Sequence, residues 1–439
     1  MKSMKRDKEI DVFWFRRDLR LHDNKALYHA LKQGKPLLLL FVFDDYILDP
    51  LPANDHRVTF LYNTLSAMHQ ELSEVGGGLE IRRGKPVEVI HELIHTYRVG
   101  SVFCNADHEP YGINRDKEVK ELLAGKGINF YQYLDHLIMD KSEVVKPEGT
   151  PYQVFTPYSK RWKEKLEEKH LEQYHSQELL KDTDIVSDGS FPAMADIGME
   201  KSSLSAPPLK MDEVLIRNYH RQRDIPAING TSRLGVHLRF GTLSIRELIR
   251  KGLQWNDTYL NELIWREFYA MILWHYPDVV TRSFKSAYDR IQWRNDENEF
   301  EAWKHGKTGF PMVDAGMRQL STTGFMHNRL RMVTASFLSK HLLIDWRWGE
   351  AWFAENLFDY ELSSNNGGWQ WSAGTGCDAA PYFRIFNPMA QQKKFDPEGL
   401  FVAKWVPEQN EKDYPRPIVD HAFARDRCLK VYKEALQNE

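Results

Sequence analysis

The sequence has few cysteines, and they form no pattern. Cys104, Cys377 and Cys428 are the three cysteines of the 439 residues, and none of them has the Cys-x-x-Cys spacing of a redox or zinc motif. We therefore expect neither a disulfide framework nor a metal site. Such sparing use of cysteine is typical of a protein kept in a reducing compartment.

The sequence also lacks a long hydrophobic run. The longest, Leu37 to Phe43, is far shorter than the ~20 residues that a membrane-spanning helix needs. The first residues, Met1 to Lys8, are charged and lead into no long apolar segment, so they predict no signal peptide. We expect a cytoplasmic protein of bacterial type that has no membrane partner.

Neither sign of charge is in large excess. Lys and Arg number 59 against 62 Asp and Glu, a formal net charge of -3. Overall charge therefore gives no attraction to nucleic acid, and DNA binding would need a local basic face. A phosphate-binding loop is also missing, because the glycines Gly76 to Gly78 follow a helical segment without the spacing of nucleotide-binding motifs, which favours a linker.

Tryptophan, in contrast, is plentiful in the second half of the chain. Ten of the 13 tryptophans lie between Trp255 and Trp371. Two of them, Trp369 and Trp371, end a segment that begins at Ser363 and also holds two adjacent asparagines and two adjacent glycines. Indoles at this density indicate a pocket or a conducting path beside a redox cofactor.

The hydrophobic patterns predict an α/β domain followed by an all-α domain. In residues 10–138 short apolar runs alternate with helical periodicity, which predicts a parallel, Rossmann-like sheet with helical crossovers. The predicted strands are Val12–Phe15, Leu37–Phe43, Leu79–Arg82 and Ser101–Cys104. Residues 139–209 have weak patterning and predict an interdomain linker with one helix near Tyr158–Lys169. Residues 210–435 show only helical periodicity.

Three segments of the second half carry polar side chains at helical spacing or at a helix start. Glu262, Trp265 and Arg266 share one helix face, where a carboxylate can bind a planar ring and an indole can stack on it. Asn328 and Met332 share another face. The segment from Gly230 to Gly235 precedes a helical stretch and could bind an anion. Each segment also has a simpler interpretation. The first could be a surface Glu–Arg pair, the second could carry solvated arginines, Arg329 and Arg331, and the third could be an ordinary N-cap.

Taken together and in order, five segments resemble the DNA photolyase/cryptochrome family over residues 12–435. The segments are Phe13–Asn24, Thr231–Leu234, Trp265–Phe268, Met326–Met332 and Asn365–Trp371. The similarity is greatest to class I cyclobutane pyrimidine dimer photolyases. It implies an antenna domain at 10–138, a linker at 139–209, and a helical domain at 210–435 that binds FAD and DNA.

The resemblance implies FAD as the cofactor and names its ligands. The phosphates and ribityl chain would be held by Tyr219, Thr231, Ser232, Arg233, Leu234 and Gly235. The isoalloxazine ring would be surrounded by Tyr259, Arg266, Asn328, Asp359, Tyr360, Glu361 and Asn365. Gly235, Tyr259 and Glu361 depart from the residues usual in the family, which are serine, tryptophan and aspartate. Asn365 matches the position that faces flavin N5, where an amide favours repair over signalling.

The resemblance also implies an electron relay and a lesion pocket. Trp369, Trp346 and Trp293 match the family's tryptophan relay. The residues that would contact the dimer or its flanking DNA are Arg223, Glu262, Trp265, Asn328, Arg329, Met332, Trp371, Arg384 and Gln391. Glu262 would hydrogen-bond the dimer carbonyl. Related (6-4) photolyases carry paired histidines where this chain has only His327, which favours the cyclobutane lesion.

The implied function is that of a deoxyribodipyrimidine photo-lyase. Light excites reduced FAD, an electron passes to a dimer flipped out of the DNA, the ring splits and the electron returns. Glu109 matches a position that contacts a folate in some relatives, so methenyltetrahydrofolate is the expected antenna, with 8-hydroxydeazaflavin or none as alternatives. The expected partner is UV-damaged DNA, bound by a monomer. A cryptochrome-type blue-light receptor and a (6-4) photolyase are the alternative functions.

Overall fold

A computed structural model describes residues 8–437, which divide into two compact units. The first unit comprises the described residues up to Glu143, together with Leu166–Leu209 and Leu234–Lys251. The second comprises Val144–Lys165, Lys210–Arg233 and the residues from Gly252 onward.

The segment 139–209, predicted as a linker, is divided between the two units. Its Phe155–Lys165 helix belongs to the second unit, and the residues from Leu166 to Leu209 belong to the first. The Phe155–Lys165 helix is part of a packed unit and not a linker, because its Tyr158 and Trp162 are as inaccessible to solvent as any core residue. The first unit also includes Leu234–Lys251, a stretch that the sequence assigned to the helical domain.

The secondary structure follows the predicted succession. The strands are β1 (Glu9–Phe15), β2 (Leu37–Asp44), β3 (Leu79–Gly84), β4 (Arg98–Asn105) and β5 (Asn129–Tyr133). The α-helices are α1 (Lys25–Leu31), α2 (Asp45–Leu48), α3 (His56–Ser73), α4 (Pro86–Thr96), α5 (Pro110–Ala124), α6 (Phe155–Lys165), α7 (Ser176–Leu179), α8 (Glu213–Arg217), α9 (Tyr219–Gln222), α10 (Gly235–Phe240), α11 (Ile245–Trp255), α12 (Asp257–His275), α13 (Glu297–Lys304), α14 (Pro311–Thr323), α15 (Asn328–Ser336), α16 (Trp346–Asn356), α17 (Leu362–Ala373), α18 (Pro388–Phe395), α19 (Leu400–Trp405) and α20 (His421–Gln437).

The first unit contains a five-stranded sheet of order β3-β2-β1-β4-β5. Every neighbouring pair is parallel, and Phe13 of β1 lies opposite Leu39 of β2 and Phe103 of β4. Strand β2 is buried at every position, as its unbroken apolar run predicted. The parallel α/β architecture is therefore confirmed. Strand β5 was not predicted, because this edge strand is largely exposed and lacks an apolar run.

The described part of the second unit contains helices and no strand, as predicted. Helix α15 ends at Ser336, where the chain passes into a π-helical turn at Phe337–His341. Helix α6 begins three residues before the predicted start at Tyr158. Among the described helices, none has the length and apolar character needed to cross a bilayer.

Two glycines allow close helix packing in the second unit. Helix α17 is regular although it contains the Gly367–Gly368 pair, which disfavours a helix. A Cβ atom at Gly367 would lie 2.2 Å from the ring of Tyr269, and one at Gly349 would lie 2.1 Å from the indole of Trp369. Helix α17 can thus approach both α12 and α16, and Trp369 joins a buried apolar cluster.

Candidate active site

A cavity of about 380 Å³ lies within the second unit. Its volume is in the range typical of small-molecule sites. Side chains from α12, α15, α16 and α17 form most of its wall. The predicted site residues that line it are Arg223, Glu262, Trp265, Arg266, Asn328, Met332, Asp359, Tyr360, Glu361, Asn365, Trp369 and Trp371.

The cavity wall also contains residues that the sequence analysis missed. They are Tyr269, Arg331, Ala335, Phe353, Leu357, Ser364, Gly368 and Ser372. Helical spacing would have found several of them. Tyr269 follows Trp265 by four residues, Ala335 follows Met332 by three, and Gly368 follows Asn365 by three. Phe353 and Leu357 carried no signal beyond an apolar pattern typical of any core.

Helix α12 supplies one wall of the cavity. The side chain of Asn256 caps its start by accepting hydrogen bonds from the backbone N–H groups of Thr258 and Tyr259. With the helix start set in this way, Glu262, Trp265 and Arg266 lie on one face and all three line the cavity.

The carboxylate of Glu262 is bound by Arg223 at the cavity wall. The Arg223 guanidinium donates to Glu262 Oε1 at 2.5 Å. Burial raises the pKa of Glu262 above its usual range, the charge of Arg223 acts in the opposite direction, and the nearby Asp224 carboxylate adds to the rise. The ionisation of Glu262 therefore depends on whether Arg223 stays beside it.

Two further arginine–carboxylate pairs lie at the cavity. Arg266 Nη2 donates to Glu361 Oε1 at 3.0 Å, and both side chains are more than nine-tenths buried. Arg331 Nη2 donates to both carboxylate oxygens of Asp359, at 3.0 and 2.9 Å, in a more exposed pair. Glu361, noted above as a departure from the aspartate usual in the family, thus pairs its carboxylate with a buried arginine.

Asn365 has a fixed orientation in the cavity wall. Its amide nitrogen donates to the backbone oxygen of Glu350 at 3.0 Å and to Glu350 Oε1 at 2.8 Å. Burial raises the pKa of Glu350, while the bond from Asn365 acts the other way. Because the donors of the amide are engaged by α16, its carbonyl oxygen is the group that can accept a hydrogen bond inside the cavity.

The predicted phosphate and ribityl ligands lie outside the cavity wall, and so does Tyr259, which was predicted to lie beside the isoalloxazine ring. Ser232 Oγ and the Tyr259 hydroxyl are 3.1 Å apart, and the Tyr259 ring contacts Tyr219 edge-on at 5.2 Å. Arg223 lies over the Tyr219 ring, 5.4 Å from its centroid, and Arg223 does line the cavity. Ser232, Tyr259 and Tyr219 are therefore linked to the cavity through Arg223.

The rest of this predicted segment has a different environment. Thr231 and Arg233 end a stretch of the second unit, and Arg233 has a positive φ of 52°. Its guanidinium lies 4.8 Å from the ring centroid of Phe325. Leu234 and Gly235 belong to the first unit, where they begin the short helix α10.

The three predicted relay tryptophans meet in one region of the second unit. Trp369 and Trp346 belong to the same buried apolar cluster, and Trp293 packs against it. Trp369 also contacts Trp303, with ring centroids 6.0 Å apart, and Phe353, at 4.9 Å. Trp303 was not among the predicted relay residues, although it is fully buried beside Trp369.

The predicted DNA-contacting residues outside the cavity are mostly accessible. Arg384 is exposed and Gln391 lies half-buried in helix α18. Arg329 is ion-paired with Asp224 at 2.6 Å, and its guanidinium lies 4.0 Å from the Phe395 ring centroid. Asp224 therefore competes with a phosphate for the Arg329 guanidinium.

His327 has a structural role at the start of α15. It is buried and does not line the cavity, and its Nδ1 accepts the backbone N–H of Arg329 at 3.1 Å. Burial lowers the pKa of His327 to about 4, and nearby arginines contribute. His327 is therefore the neutral N-cap of the helix that presents Asn328 and Met332 to the cavity.

This N-cap predicts a pH-dependent stability. Since the His327 pKa falls from 6.5 in the unfolded chain to about 4 in the folded protein, the unfolded chain takes up a proton first as the pH falls. The contribution of His327 to the free energy of unfolding is present in full above pH 6.5 and is lost toward pH 4. At pH 5 the loss is about 2 kcal/mol. Thermal unfolding at pH 7 and 5 tests this against His327→Asn, which caps without titrating and should lose less stability on acidification. An equal loss in both proteins would contradict the prediction.

Glu109, the predicted antenna contact, lies in the first unit at the start of α5. Its Oε1 is 2.9 Å from the guanidinium of Arg17, which also contacts Asp107 at 3.2 Å. Arg239 lies 4.0 Å from the other oxygen of Glu109. The carboxylate is thus held between two arginines at the end of strand β4, where parallel sheets commonly bind ligands.

Comparison with known sequences identifies both parts of the chain. Residues 11–176 match the family described as DNA photolyase, and residues 259–412 match the FAD binding domain of DNA photolyase. The chain belongs to the DNA photolyase/cryptochrome family. The deoxyribodipyrimidine photo-lyase of Escherichia coli is 36% identical over an alignment of 470 positions, which covers 97% of this chain and 98% of that protein. That of Alkalihalophilus pseudofirmus is 36% identical over an alignment of 477 positions, which covers 97% of this chain and 98% of that protein.

Solved structures agree with this assignment. A bacterial class III photolyase from Agrobacterium tumefaciens superposes with a TM-score of 0.86 at 32% identity, covering 98% of both chains. An archaeal photolyase from Sulfolobus tokodaii, solved with two FAD molecules, gives 0.84 at 33% identity and covers 97% of this chain and 100% of its own. The predicted enzyme class, deoxyribodipyrimidine photo-lyase, is confirmed by the relatives, and FAD is the cofactor of the matched domain. Assignment to class I stays a prediction.

Proposed function

We propose that this photolyase repairs cyclobutane pyrimidine dimers in UV-damaged DNA by light-driven electron transfer from reduced FAD. One observation carries the proposal. A single cavity is lined both by residues expected to bind the dimer, such as Glu262, Trp265 and Trp371, and by residues expected to bind the flavin, such as Arg266 and Asn365. Donor and substrate would then be neighbours, as electron transfer requires.

The chemistry of the cavity wall fits a reduced flavin. Asn365 presents a carbonyl acceptor because Glu350 engages its donors, and an acceptor is what a protonated ring nitrogen needs. Arg266 and Arg331 bring positive charge that suits an anionic ring, while Glu361 and Asp359 hold them in position. Reduced FAD, when bound, supplies an electron donor that light can excite.

Arg223 and Glu262 would act together when DNA binds. If a phosphate beside the lesion attracts Arg223, Glu262 loses the cation that opposes the rise of its pKa. The carboxylate would then take up a proton from solvent and use it to donate a hydrogen bond to the dimer carbonyl. That bond would stabilise the negative charge that develops on the pyrimidine when it receives the electron.

The aromatic wall suits a dimer flipped out of the duplex. Trp265 and Trp371 line the cavity and offer ring surfaces to replace the stacking that the pyrimidines lose. Repair of (6-4) photoproducts is less well supported, because His327 does not line the cavity and serves as a neutral N-cap. It is poorly placed to transfer a proton to a lesion.

The decisive experiment measures repair directly. The purified, FAD-loaded and reduced protein is given an oligonucleotide with one cyclobutane dimer, another with a (6-4) photoproduct, and blue light. We expect loss of the dimer in the light, none in the dark, and no change of the (6-4) product. Conversion of the (6-4) photoproduct alone would instead support a (6-4) photolyase. If light changed neither oligonucleotide, a blue-light photoreceptor would be supported.

Substitution of Glu262 tests its proposed hydrogen bond. Glu262→Ala should lower the repair yield per absorbed photon about 5-fold, the worth of one hydrogen bond of about 1 kcal/mol, and leave bound FAD unchanged. Glu262→Gln is the matched control, since its amide can still donate to the dimer carbonyl and should retain most of the yield. Equal yields for the alanine variant and the unchanged protein would remove this role from Glu262.

We further propose that the protein acts as a monomer and that an antenna pigment binds the first unit near Glu109. Methenyltetrahydrofolate is the favoured pigment, because an acidic side chain suits its amino groups, with 8-hydroxydeazaflavin or no antenna as alternatives. The absorption spectrum of the purified protein distinguishes these cases. A near-ultraviolet band beyond those of FAD supports the folate, a blue band the deazaflavin, and FAD bands alone the absence of an antenna.

A further inference from the structure

The indole of Trp265 stacks on a ring from a distant part of the chain. Phe155, the first residue of α6, lies face to face with it, with ring centroids 3.8 Å apart and an angle of 6° between the planes. Trp265 lines the cavity and Phe155 does not. Phe155 therefore stacks on one face of the indole from a position outside the cavity wall.

Other contacts hold Phe155 in place. Its ring meets Phe268, a fully buried residue of α12, edge-on at 5.9 Å. Its backbone N–H donates to Asp378 Oδ2 at 3.0 Å. Asp378 lies in the loop that follows α17, the helix that carries Trp371, and has a positive φ of 46°. The start of α6 is thus tied to both helices that carry the cavity's tryptophans.

Helix α6 as a whole is anchored to α12. Ser159 Oγ donates to Asn261 Oδ1 at 3.1 Å, and Trp162 Nε1 donates to Glu267 Oε2 at 2.7 Å. These bonds lie one and two turns beyond Phe155, so the helix cannot move away from α12 without breaking them. The Phe155 ring is consequently a rigid surface rather than a mobile cover.

We propose that Phe155 is a positioning residue for lesion recognition, which fixes the plane of the Trp265 indole so that it is ready to stack on the flipped-out dimer. This inference rests on the proposed function and adds to it a residue outside the cavity. An indole already held in one orientation loses little freedom when the lesion binds, so stacking contributes more of its energy to affinity. Without Phe155, Trp265 could adopt other rotamers, and binding would have to select one of them.

The test compares Kd for oligonucleotides with and without a dimer. Phe155→Ala should raise Kd for the damaged strand roughly 2- to 12-fold, the range expected for one aromatic pair. Kd for the undamaged strand, the FAD spectrum and the repair yield per photon at saturating substrate should stay unchanged. Phe155→Tyr, which keeps the stacking ring, should restore the affinity. Tyr152→Ala is the matched control, since Tyr152 precedes the same helix and its ring contacts Tyr158.

A double-mutant cycle separates positioning from a general loss of structure. Once Trp265 has been replaced by alanine, Phe155→Ala should have no further effect on the affinity for the dimer. Additive losses, or an equal loss of affinity for undamaged DNA, would overturn the proposal. If Trp265→Ala itself leaves dimer binding and repair unchanged, the proposed function of the cavity fails. If Trp265→Ala weakens dimer binding and Phe155→Ala does not, the proposed role of Phe155 is rejected while the proposed function of the cavity stands.

Discussion

Trp369→Phe should nearly abolish the photoreduction of bound, oxidised FAD, slowing it by ~10-fold or more, which equals about 1.4 kcal/mol or more on the barrier. Of the three predicted relay tryptophans, Trp369 is the one that lines the cavity, so it would be the first to lose an electron. A phenyl ring is much harder to oxidise than an indole and would interrupt the path. Repair by chemically reduced protein should persist. Absorbance during illumination of the oxidised protein measures the rate.

Variants of neighbouring tryptophans locate the path. Trp346→Phe and Trp293→Phe should impair lasting photoreduction as well, because relay residues act in series. Trp303→Phe is the matched control, since Trp303 contacts Trp369 and lies in the same cluster but outside the predicted relay. If Trp303→Phe blocks photoreduction and Trp346→Phe does not, the electron passes through Trp303. An unchanged rate in Trp369→Phe would show that the relay begins elsewhere.

Arg266→Met should lower the free energy of unfolding by about 3–5 kcal/mol and weaken FAD binding. The reason is burial, because the substitution leaves the Glu361 carboxylate without its guanidinium partner in a site that is nearly closed to solvent. An unpaired buried charge must be neutralised or exposed, and both cost free energy. Denaturant unfolding of the FAD-free protein measures the stability change, and FAD fluorescence during titration measures the affinity.

The second ion pair of the cavity is the natural control. Arg331 and Asp359 are both partly exposed, so water can solvate either charge when its partner is removed. Arg331→Met should therefore cost about 1 kcal/mol or less of the unfolding free energy. If both substitutions cost the same, burial is not what makes the Arg266–Glu361 pair important.

The parts of the fold that were predicted correctly are those with a strong local pattern. Strand β2 is a continuous apolar run, and helix α3 (His56–Ser73) is the helical segment expected before the glycines Gly76 to Gly78. Strand β5 was missed because an exposed edge strand needs no apolar residues. Helix α17 could not be predicted from propensity, since its glycine pair disfavours a helix, and the close approach of Gly367 to Tyr269 is a tertiary contact.

The candidate site shows the same limit. Residues three or four apart on one helix, such as Glu262 with Trp265 and Asn328 with Met332, could be grouped from spacing, and they do line one cavity. Which partner each would contact was not predictable. Glu262 of α12 binds Arg223, which lies 39 residues away in the sequence at the end of α9, because α9 and α12 pack against each other.

The sequence by itself determined the family, the parallel sheet, the helical second half and most of the cavity-lining residues. These features follow from residue types and from spacing within a single helix or strand, and both can be read from a short stretch of sequence. Tertiary structure alone decided that segment 139–209 belongs to both units, that Asn365 turns its donors toward Glu350, and that Phe155 stacks on Trp265. Such pairings join residues far apart in the chain, and they depend on how whole helices pack, which no local pattern encodes.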